Sequence, residues 1–404
     1  MTTLAVEYFR SVPRYVGART VGGRLPGLLT GPLAPLRLAT LPDPEPPERP
    51  GWARLKPLLA GICGSDLATI AGRSSLYFSP LVSVPFVPGH EVVGELQDDC
   101  EDLPAGTRVV LSSVLACAAR GQDPVCDNCA TGLTGRCDRV TVGHLKPGLQ
   151  TGFCAETRGG WSRSMLAHRS QLFPVPEVLS DRAAVLVEPF ACAIHAALRA
   201  RVPDGGSVLV VGAGTVGLLT LVALRLFTNA GRVTVAAKHA AQRAAAAMAG
   251  ADLVVRPEHA LKAIRRDARA VKLTPERGGE FLLGGVDVAI ECTGSGRGLD
   301  QALRAVRAGG RVVLSGMPEG GGDLAPLWFR ELELVGAYTA GGVEEIGGRP
   351  RSTFEAAIEA AATVPMLERL VGATYPLDRW RDAIDHAMSA GALGTFKVTF
   401  APQR

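Results

Sequence analysis

Two kinds of residue in this chain have the types and spacing to do chemistry: metal-binding side chains and phosphate-cradling glycines. Four cysteines stand in the order Cys117-x8-Cys126-x2-Cys129-x7-Cys137. Thiolates at that density suit a tetrahedral structural Zn²⁺. The chain has nine cysteines, an odd number, and its first ten residues carry Glu7 and Arg10 without an apolar core. No secretory signal is read there, so reduced thiolates on a metal are expected in place of disulfides, in a cytoplasmic setting. Upstream, Gly61-Ile-Cys63-Gly-Ser65-Asp66 and Gly89-His90-Glu91 each offer metal donors between glycine turns. A thiolate and an imidazole suit zinc, and a catalytic zinc takes three protein ligands and leaves one position open. Each motif alone is short, and a buried cysteine or a surface histidine would account for either.

The glycines are Gly212-Ala-Gly214-Thr215-Val216-Gly217, placed after an apolar run at 207–211 and before a helical pattern. Gly212 permits a tight turn, Gly214 lets a pyrophosphate approach the backbone, and Gly217 lets the helix pack close to the sheet. The N–H groups at the start of the helix, from Thr215 and Val216, supply the anion site. The second strand of such a unit normally ends on an acidic residue that holds the ribose 2′-hydroxyl. Here 233–237 is followed by Lys238 and then Arg243, with no carboxylate. Cations at that point can pair with a 2′-phosphate, so NADP(H) is expected ahead of NAD(H).

These motifs need elements to hold them. Residues 1–50 are rich in proline and glycine, which predicts loop or polyproline-like chain in place of central strand. From Trp52 to Val110 short apolar runs alternate with Gly/Pro turns, which predicts β-structure. After Asp181 the period changes, and Ala183, Ala184, Val187, Phe190, Ala191, Ile194 and Leu198 recur at helical spacing over 182–200. Strands at 207–211, 233–237, 286–291 and 311–315 then alternate with helices at 216–227, 240–249 and 299–306. That alternation predicts a parallel sheet with right-handed crossovers. Further helices are expected near 354–362 and 379–389.

The order Gly-Ile-Cys63-Gly-Ser-Asp, Pro88-Gly-His90-Glu91, the cysteine lobe, Glu188-Pro189 and GxGxxG resembles the zinc-containing medium-chain dehydrogenase/reductase superfamily. The resemblance runs from about Leu55 to near the C-terminus. The stretch Val187-Glu188-Pro189-Phe-Ala-Cys-Ala-Ile-His195-Ala looks most like the sorbitol, threonine and glucose dehydrogenase branch. It implies an α/β protein: a GroES-like β-rich catalytic domain at 1–180 with a structural zinc lobe at about 117–137, a doubly wound Rossmann domain at 181–335, and a return to the catalytic domain at 336–404. It also implies Cys63 and His90 as catalytic-zinc ligands, with Glu91 or Glu188 as the third. Ser65 falls at the family's proton-relay hydroxyl, and Asp66 reads as a residue that orients a ligand. The segments Val288-Ala-Ile-Glu291-Cys292-Thr293-Gly294 and Gly309-Gly-Arg311-Val-Val-Leu-Ser-Gly316 look like later Rossmann strands, which puts Cys292, Thr293 and Gly316 at the cofactor. A homo-oligomer, dimer or tetramer, is implied as well.

Two positions depart from the family pattern. Ala68 stands where a relay histidine is often found, so proton release is expected through Ser65 and water, or through another group. The lobe's first spacing is eight residues where the family has two. The first ligand is then Cys117, with an insertion containing Arg120 to Pro124, or it is Asp123. Cys100, Cys154, Cys192 and Cys292 read as unligated thiols.

The implied reaction is hydride transfer between an alcohol, polyol or sugar and the nicotinamide, with zinc as the Lewis acid that turns a substrate hydroxyl into an alkoxide. Lys146 to Glu156 and Gly159-Gly-Trp161-Ser162 are expected to border the substrate cleft, Trp161 either lining it or packing. Glu319 to Gly322 with Trp328 and Phe329 are candidates for its other side. The composition fits such an enzyme: 47% hydrophobic, 20% charged, net charge +4. It offers no basic run for nucleic acid and no uncharged apolar stretch of membrane-spanning length. Two other readings stay open: a zinc-free quinone or enone reductase on the same fold, and a nucleotide-binding protein without catalysis.

Overall fold

Apolar runs that do not alternate make strands buried on both faces. A computed structural model, which describes residues 2–22, 26–31 and 34–404, places such strands at Val208–Val211, Val233–Ala236 and Val286–Glu291. With Leu253–Val255, Val306–Leu314 and Glu333–Gly336 they form a six-stranded sheet, parallel throughout. In chain order its strands lie 3-2-1-4-5-6, the doubly wound arrangement whose cofactor crevice opens at the carboxyl ends of the central strands. Helices Thr215–Phe227, Ala240–Met248 and Gly296–Ala305 supply crossovers. This sheet is the core of one compact unit, Pro189–Thr353.

The other unit comprises Met1–Glu188 and Phe354–Arg404. It is built on a seven-stranded sheet whose central strand, Trp52–Gly61, pairs with Val92–Leu96, Met165–His168 and Lys397–Phe400. Pro57 sits in that central strand only because the register shifts there, which removes the need for its missing N–H. Leu55, Leu96, Leu111 and Met165 fill the core, closed by Trp161 edge-on to Phe400 at 5.1 Å between centroids. The unit boundaries thus fall at Glu188/Pro189 and Thr353/Phe354, where the sequence reading placed them at 180/181 and 335/336. The antiparallel hairpin of Val343–Ile346 with Arg349–Ser352 carries the second unit on to Thr353. A GroES-like domain and a Rossmann domain are what the chain folds into.

Several expectations need correction. Part of the stretch 1–50 is not loop: Thr2–Tyr8 pairs antiparallel with Leu36–Pro42, and Val12–Val21 between them is a helix. The prolines that argued against structure sit where structure tolerates them, Pro13 in the first helical turn and Pro42 at a strand end. The run 43–50 has no helix or strand, as expected. The helix read over 182–200 is two helices, Asp181–Ala184 and Val187–Arg199. Pro189 fits the first turn of the second and could not sit in the interior of one continuous helix. Among the described residues, no helix is long and apolar enough to cross a membrane.

Candidate metal and nucleotide sites

Cys63 lies two residues past the strand Trp52–Gly61 and caps the helix Gly64–Ile70, where its backbone N–H donates to Asp66 Oδ2 at 2.9 Å. That bond fixes the turn and turns the other carboxylate oxygen toward His90. His90 Nδ1 lies 3.5 Å from Asp66 Oδ1, too far and too poorly aligned for a hydrogen bond, so both buried atoms are left without a partner. Burial opposes charge on the His90 ring, yet Asp66 and Cys63 beside it outweigh this and hold its pKa well above the usual value. Gly89, at φ +99°, makes the approach to His90; a side chain there would strike Trp161. Phe153 packs on the imidazole at 5.9 Å, Phe86 on Phe153 at 5.2 Å, and Tyr8 stacks on Phe86 at 4.9 Å.

Donor atoms of Cys63, His90 and Glu91 come within 4.8 Å of one another. Gly61 leaves room for Glu91, since a Cβ there would run into its carboxylate. Both Glu91 oxygens accept from Lys397 Nζ, at 2.6 and 2.5 Å, in a pair only 1% and 4% exposed. Burial pushes the Lys397 ammonium toward neutrality, but Glu91, Cys63 and Glu188 more than offset this and raise its pKa. Glu188 is buried in the first turn of Val187–Arg199; it lies near Lys397 and outside the tight three-donor group. A thiol and two carboxylates, those of Glu91 and Glu188, thus gather around one lysine. A divalent cation fits that charge imbalance and the close approach of the Cys63, His90 and Glu91 donor atoms.

Ser65 is half-buried in the helix that follows Cys63, its carbonyl taken by Thr69 Oγ1 at 2.9 Å. Ala68 is 1% exposed, so no proton path opens at that position. Trp161 is fully buried, its Nε1 donating to Gly61 O at 3.1 Å; it packs and does not line a cleft.

The cysteine lobe is equally compact. Cys117, Cys126, Cys129 and Cys137 bring their sulfurs within 4.8 Å, and Cys117 Sγ lies 3.6 Å from Cys137 Sγ. Tetrahedral zinc with bonds of about 2.3 Å places sulfurs about 3.8 Å apart, close to that spacing. Backbone N–H groups of Cys126 and Arg139 point at Cys117 Sγ and Cys137 Sγ, both at 3.4 Å. The N–H groups of Asp138 and Cys129 bring the Cys126 thiol down to about 7, while burial pushes Cys137 up to about 11. Asp123 is exposed and outside this group.

In the other unit, Gly212 turns at φ +95°, and a Cβ there would meet Thr293 Cγ2 at 2.6 Å. Gly217 presses against the Gly212 carbonyl, with no room for a side chain. Gly214 has no protein atom within 4 Å of where a Cβ would stand. Protein packing does not require a glycine there, whereas a ligand approaching the backbone would. Thr215 and Val216 begin the helix at this point. Glu291 accepts the Thr293 and Gly294 N–H groups at 2.7 and 2.9 Å and shapes the turn that presents Cys292 and Thr293; burial raises its pKa. Gly316 crosses close to the Gly294 backbone. Arg243 Nη1 donates to the Lys238 carbonyl at 2.7 Å, so both cations stand at the end of the second strand, with Lys238 exposed. Trp328 and Phe329 are 83% and 65% exposed on the short helix Ala325–Phe329.

Lys397 and Arg120 were not anticipated from the sequence. Lys397 pairs with a residue 306 positions away, and no local pattern announces such a contact.

Comparison with known proteins agrees with this geometry. The family model for the alcohol dehydrogenase GroES-like domain matches residues 49–177, and that for zinc-binding dehydrogenase matches 215–363. The chain is 28% identical over 364 residues to a sorbitol dehydrogenase of Bacillus subtilis, covering 87% of this chain and 90% of that protein. It is 29% identical over 284 residues to an L-idonate 5-dehydrogenase of Vitis vinifera, covering 69% and 70%. A structure described as a zinc-binding dehydrogenase from Sinorhizobium meliloti 1021 bound to NADP superposes with a TM-score of 0.71 at 25% identity, covering 100% of both chains. Matched in both domains and nearly end to end, the chain belongs to the zinc-containing medium-chain dehydrogenase/reductase superfamily, in its sorbitol and threonine dehydrogenase branch.

Proposed function

We propose that this chain is a cytosolic, zinc-dependent dehydrogenase that transfers a hydride between an alcohol of the polyol or sugar class and NADP(H), with NAD(H) the lesser partner. The observation that carries this is the gathering of the Cys63, His90 and Glu91 donor atoms within 4.8 Å of one another, with Glu188 nearby. In that site zinc supplies a Lewis acid that lowers the pKa of a substrate hydroxyl. Cys63 and His90 hold it, Glu91 completes the donor set, and Glu188 remains the alternative third carboxylate. Asp66 orients His90, and Lys397 balances the charge of Glu91. Ser65 accepts the substrate proton and passes it to water, since Ala68 closes the route beside it. Gly212, Gly214 and Gly217, with Thr215 and Val216, hold the pyrophosphate; Cys292, Thr293 and Gly316 border the nicotinamide side. The Cys117, Cys126, Cys129 and Cys137 lobe holds a second, structural zinc. The relatives named sorbitol and L-idonate dehydrogenase support the substrate class, and the NADP-bound neighbour supports the cofactor. A homo-oligomer, dimer or tetramer, is part of the same reading.

Zinc quantitation with an NADP⁺-linked screen of polyols, sugars and simple alcohols tests the proposal. Two zincs per chain and polyol turnover are expected. Enone reduction without metal would favour the zinc-free reductase, and cofactor binding without turnover a non-catalytic role. Cofactor choice has its own test. Replacing Lys238 and Arg243 together by alanine should raise the KM for NADP⁺ by about tenfold or more, each lost phosphate contact being worth about 1 kcal/mol, and leave that for NAD⁺ nearly unchanged. Equal effects on both cofactors would show that the cations do not read the 2′-phosphate.

A further inference from the structure

The enlarged first spacing of the cysteine lobe contains a residue with an unusual environment. Arg120 is fully buried, and its side-chain N–H groups go to five backbone carbonyls in place of a carboxylate. Nε donates to Leu115 at 3.0 Å, Nη1 to Val142 and Leu145 at 3.2 and 3.1 Å, and Nη2 to Lys146 and Gly148 at 3.2 and 2.7 Å. Burial lowers the pKa of this guanidinium, and the thiols of Cys154, Cys137 and Cys117 with Glu156 work in the opposite direction. The backbone contributes as well, since the Arg120 and Gln122 N–H groups donate to the Cys117 carbonyl at 3.1 and 3.0 Å. Gly143 turns at φ +101°, where any side chain would strike the Arg120 carbonyl.

The topology of these bonds gives them their meaning. Cys117 is the first cysteine of the lobe, and Arg120 closes the turn built on its carbonyl. The loop 142–148 begins five residues after Cys137, the last cysteine. One guanidinium therefore ties the chain leaving the lobe to the chain entering it, next to two sulfurs 3.6 Å apart. Bringing those ends together costs loop-closure entropy, and gathering four thiolates adds repulsion that a single zinc neutralises only by half. A buried cation fastened to both ends of the loop opposes both costs.

We propose that Arg120 is the positioning residue of the four-cysteine lobe: it preforms the site by binding loop 142–148 to the turn at Cys117 and offsets the charge of the thiolates. The proposal rests on the reading of the lobe as a zinc site. It separates two contributions that substitution can separate. Lysine keeps the charge but has three donors on a flexible stem, so it cannot serve five carbonyls held in a plane. Methionine keeps neither.

The test is made on the full-length chain, in a Cys63→Ser background so that only lobe zinc is counted. Zinc transfer to a chromogenic chelator, the charge-transfer bands of the Co²⁺-substituted lobe, and hydrogen exchange of the amides at 142–149 are measured for wild-type Arg120, Arg120→Lys and Arg120→Met. Removing a residue that orients metal ligands costs about 10- to 100-fold in metal affinity. Zinc release should therefore quicken about tenfold for Arg120→Lys and more for Arg120→Met. The Co²⁺ tetrathiolate signature should weaken in the same order. Loop 142–149 should stay protected in the wild type stripped of zinc, and exchange faster in Arg120→Lys even with zinc bound. Release rates and spectra equal to wild type in Arg120→Lys and Arg120→Met would overturn the proposal, as would a loop that loses protection on zinc removal alone. Should Arg120→Met fail to fold, Arg120→Lys and the stripped wild type still decide. Absence of zinc from the wild-type lobe would refute the metal reading on its own, and the exchange data would then judge the tie between turn and loop.

Discussion

Replacing Cys63 by serine should lower turnover by about a thousandfold or more, remove one zinc per chain, and leave NADP(H) affinity unchanged. A thousandfold loss corresponds to about 4 kcal/mol of transition-state stabilisation, the order expected when a Lewis acid is lost from its site. Serine preserves size and the helix-capping position of residue 63, so the bond from its N–H to Asp66 remains available. What it removes is the soft thiolate donor, leaving His90 and Glu91 as an incomplete set. The nucleotide turn at Gly212 to Gly217 belongs to the other compact unit, which is why cofactor binding should survive. Steady-state kinetics, metal analysis and cofactor titration on the same preparation read all three outcomes. A Cys63→Ser protein with full activity would mean that zinc catalysis is the wrong chemistry for this chain.

In the zinc-free protein, Lys397→Met should destabilise the unit that holds the metal site by about 3–5 kcal/mol, the cost of leaving a buried carboxylate without its counter-ion. The ammonium makes two short bonds to Glu91, and the pair is almost wholly out of solvent. Methionine fills a similar volume, so most of the effect should come from the stranded charge. Adding Glu91→Gln should recover a good part of the loss, because a neutral amide is far cheaper to bury unpaired than a carboxylate. Urea unfolding of the three variants, followed by a probe within the same unit, gives the comparison. If Lys397→Met unfolded at the wild-type midpoint, the pair would not be the buried charge balance described above.

The parts legible in the sequence are those where chemistry dictates residue type. Gly212 and Gly217 could be read because only glycine fits a backbone at positive φ or against a carbonyl, and the cysteines because few other side chains make a tetrahedral sulfur site. Fully buried strands such as Val208–Val211 were legible because they need an unbroken apolar run. The N-terminal strand was missed because proline content was read without regard to where prolines are harmless. Short edge strands such as Leu253–Val255 carry too few residues to show a period. The charge balance at Glu91 was out of reach for a different reason. A lysine near a C-terminus looks solvent-bound until the fold brings it beneath a carboxylate 306 residues earlier.

The row of rings from Tyr8 through Phe86 and Phe153 to His90 has a practical consequence for handling this protein. Tyr8 belongs to the strand Thr2–Tyr8, so that strand is in mechanical continuity with His90, the proposed metal donor. A substitution of Tyr8, or a truncation that removes its strand, would be felt as a change in how firmly the imidazole is seated. A protein altered within that strand is therefore a poor reference for metal affinity, and the strand should be kept intact when that quantity is compared between variants.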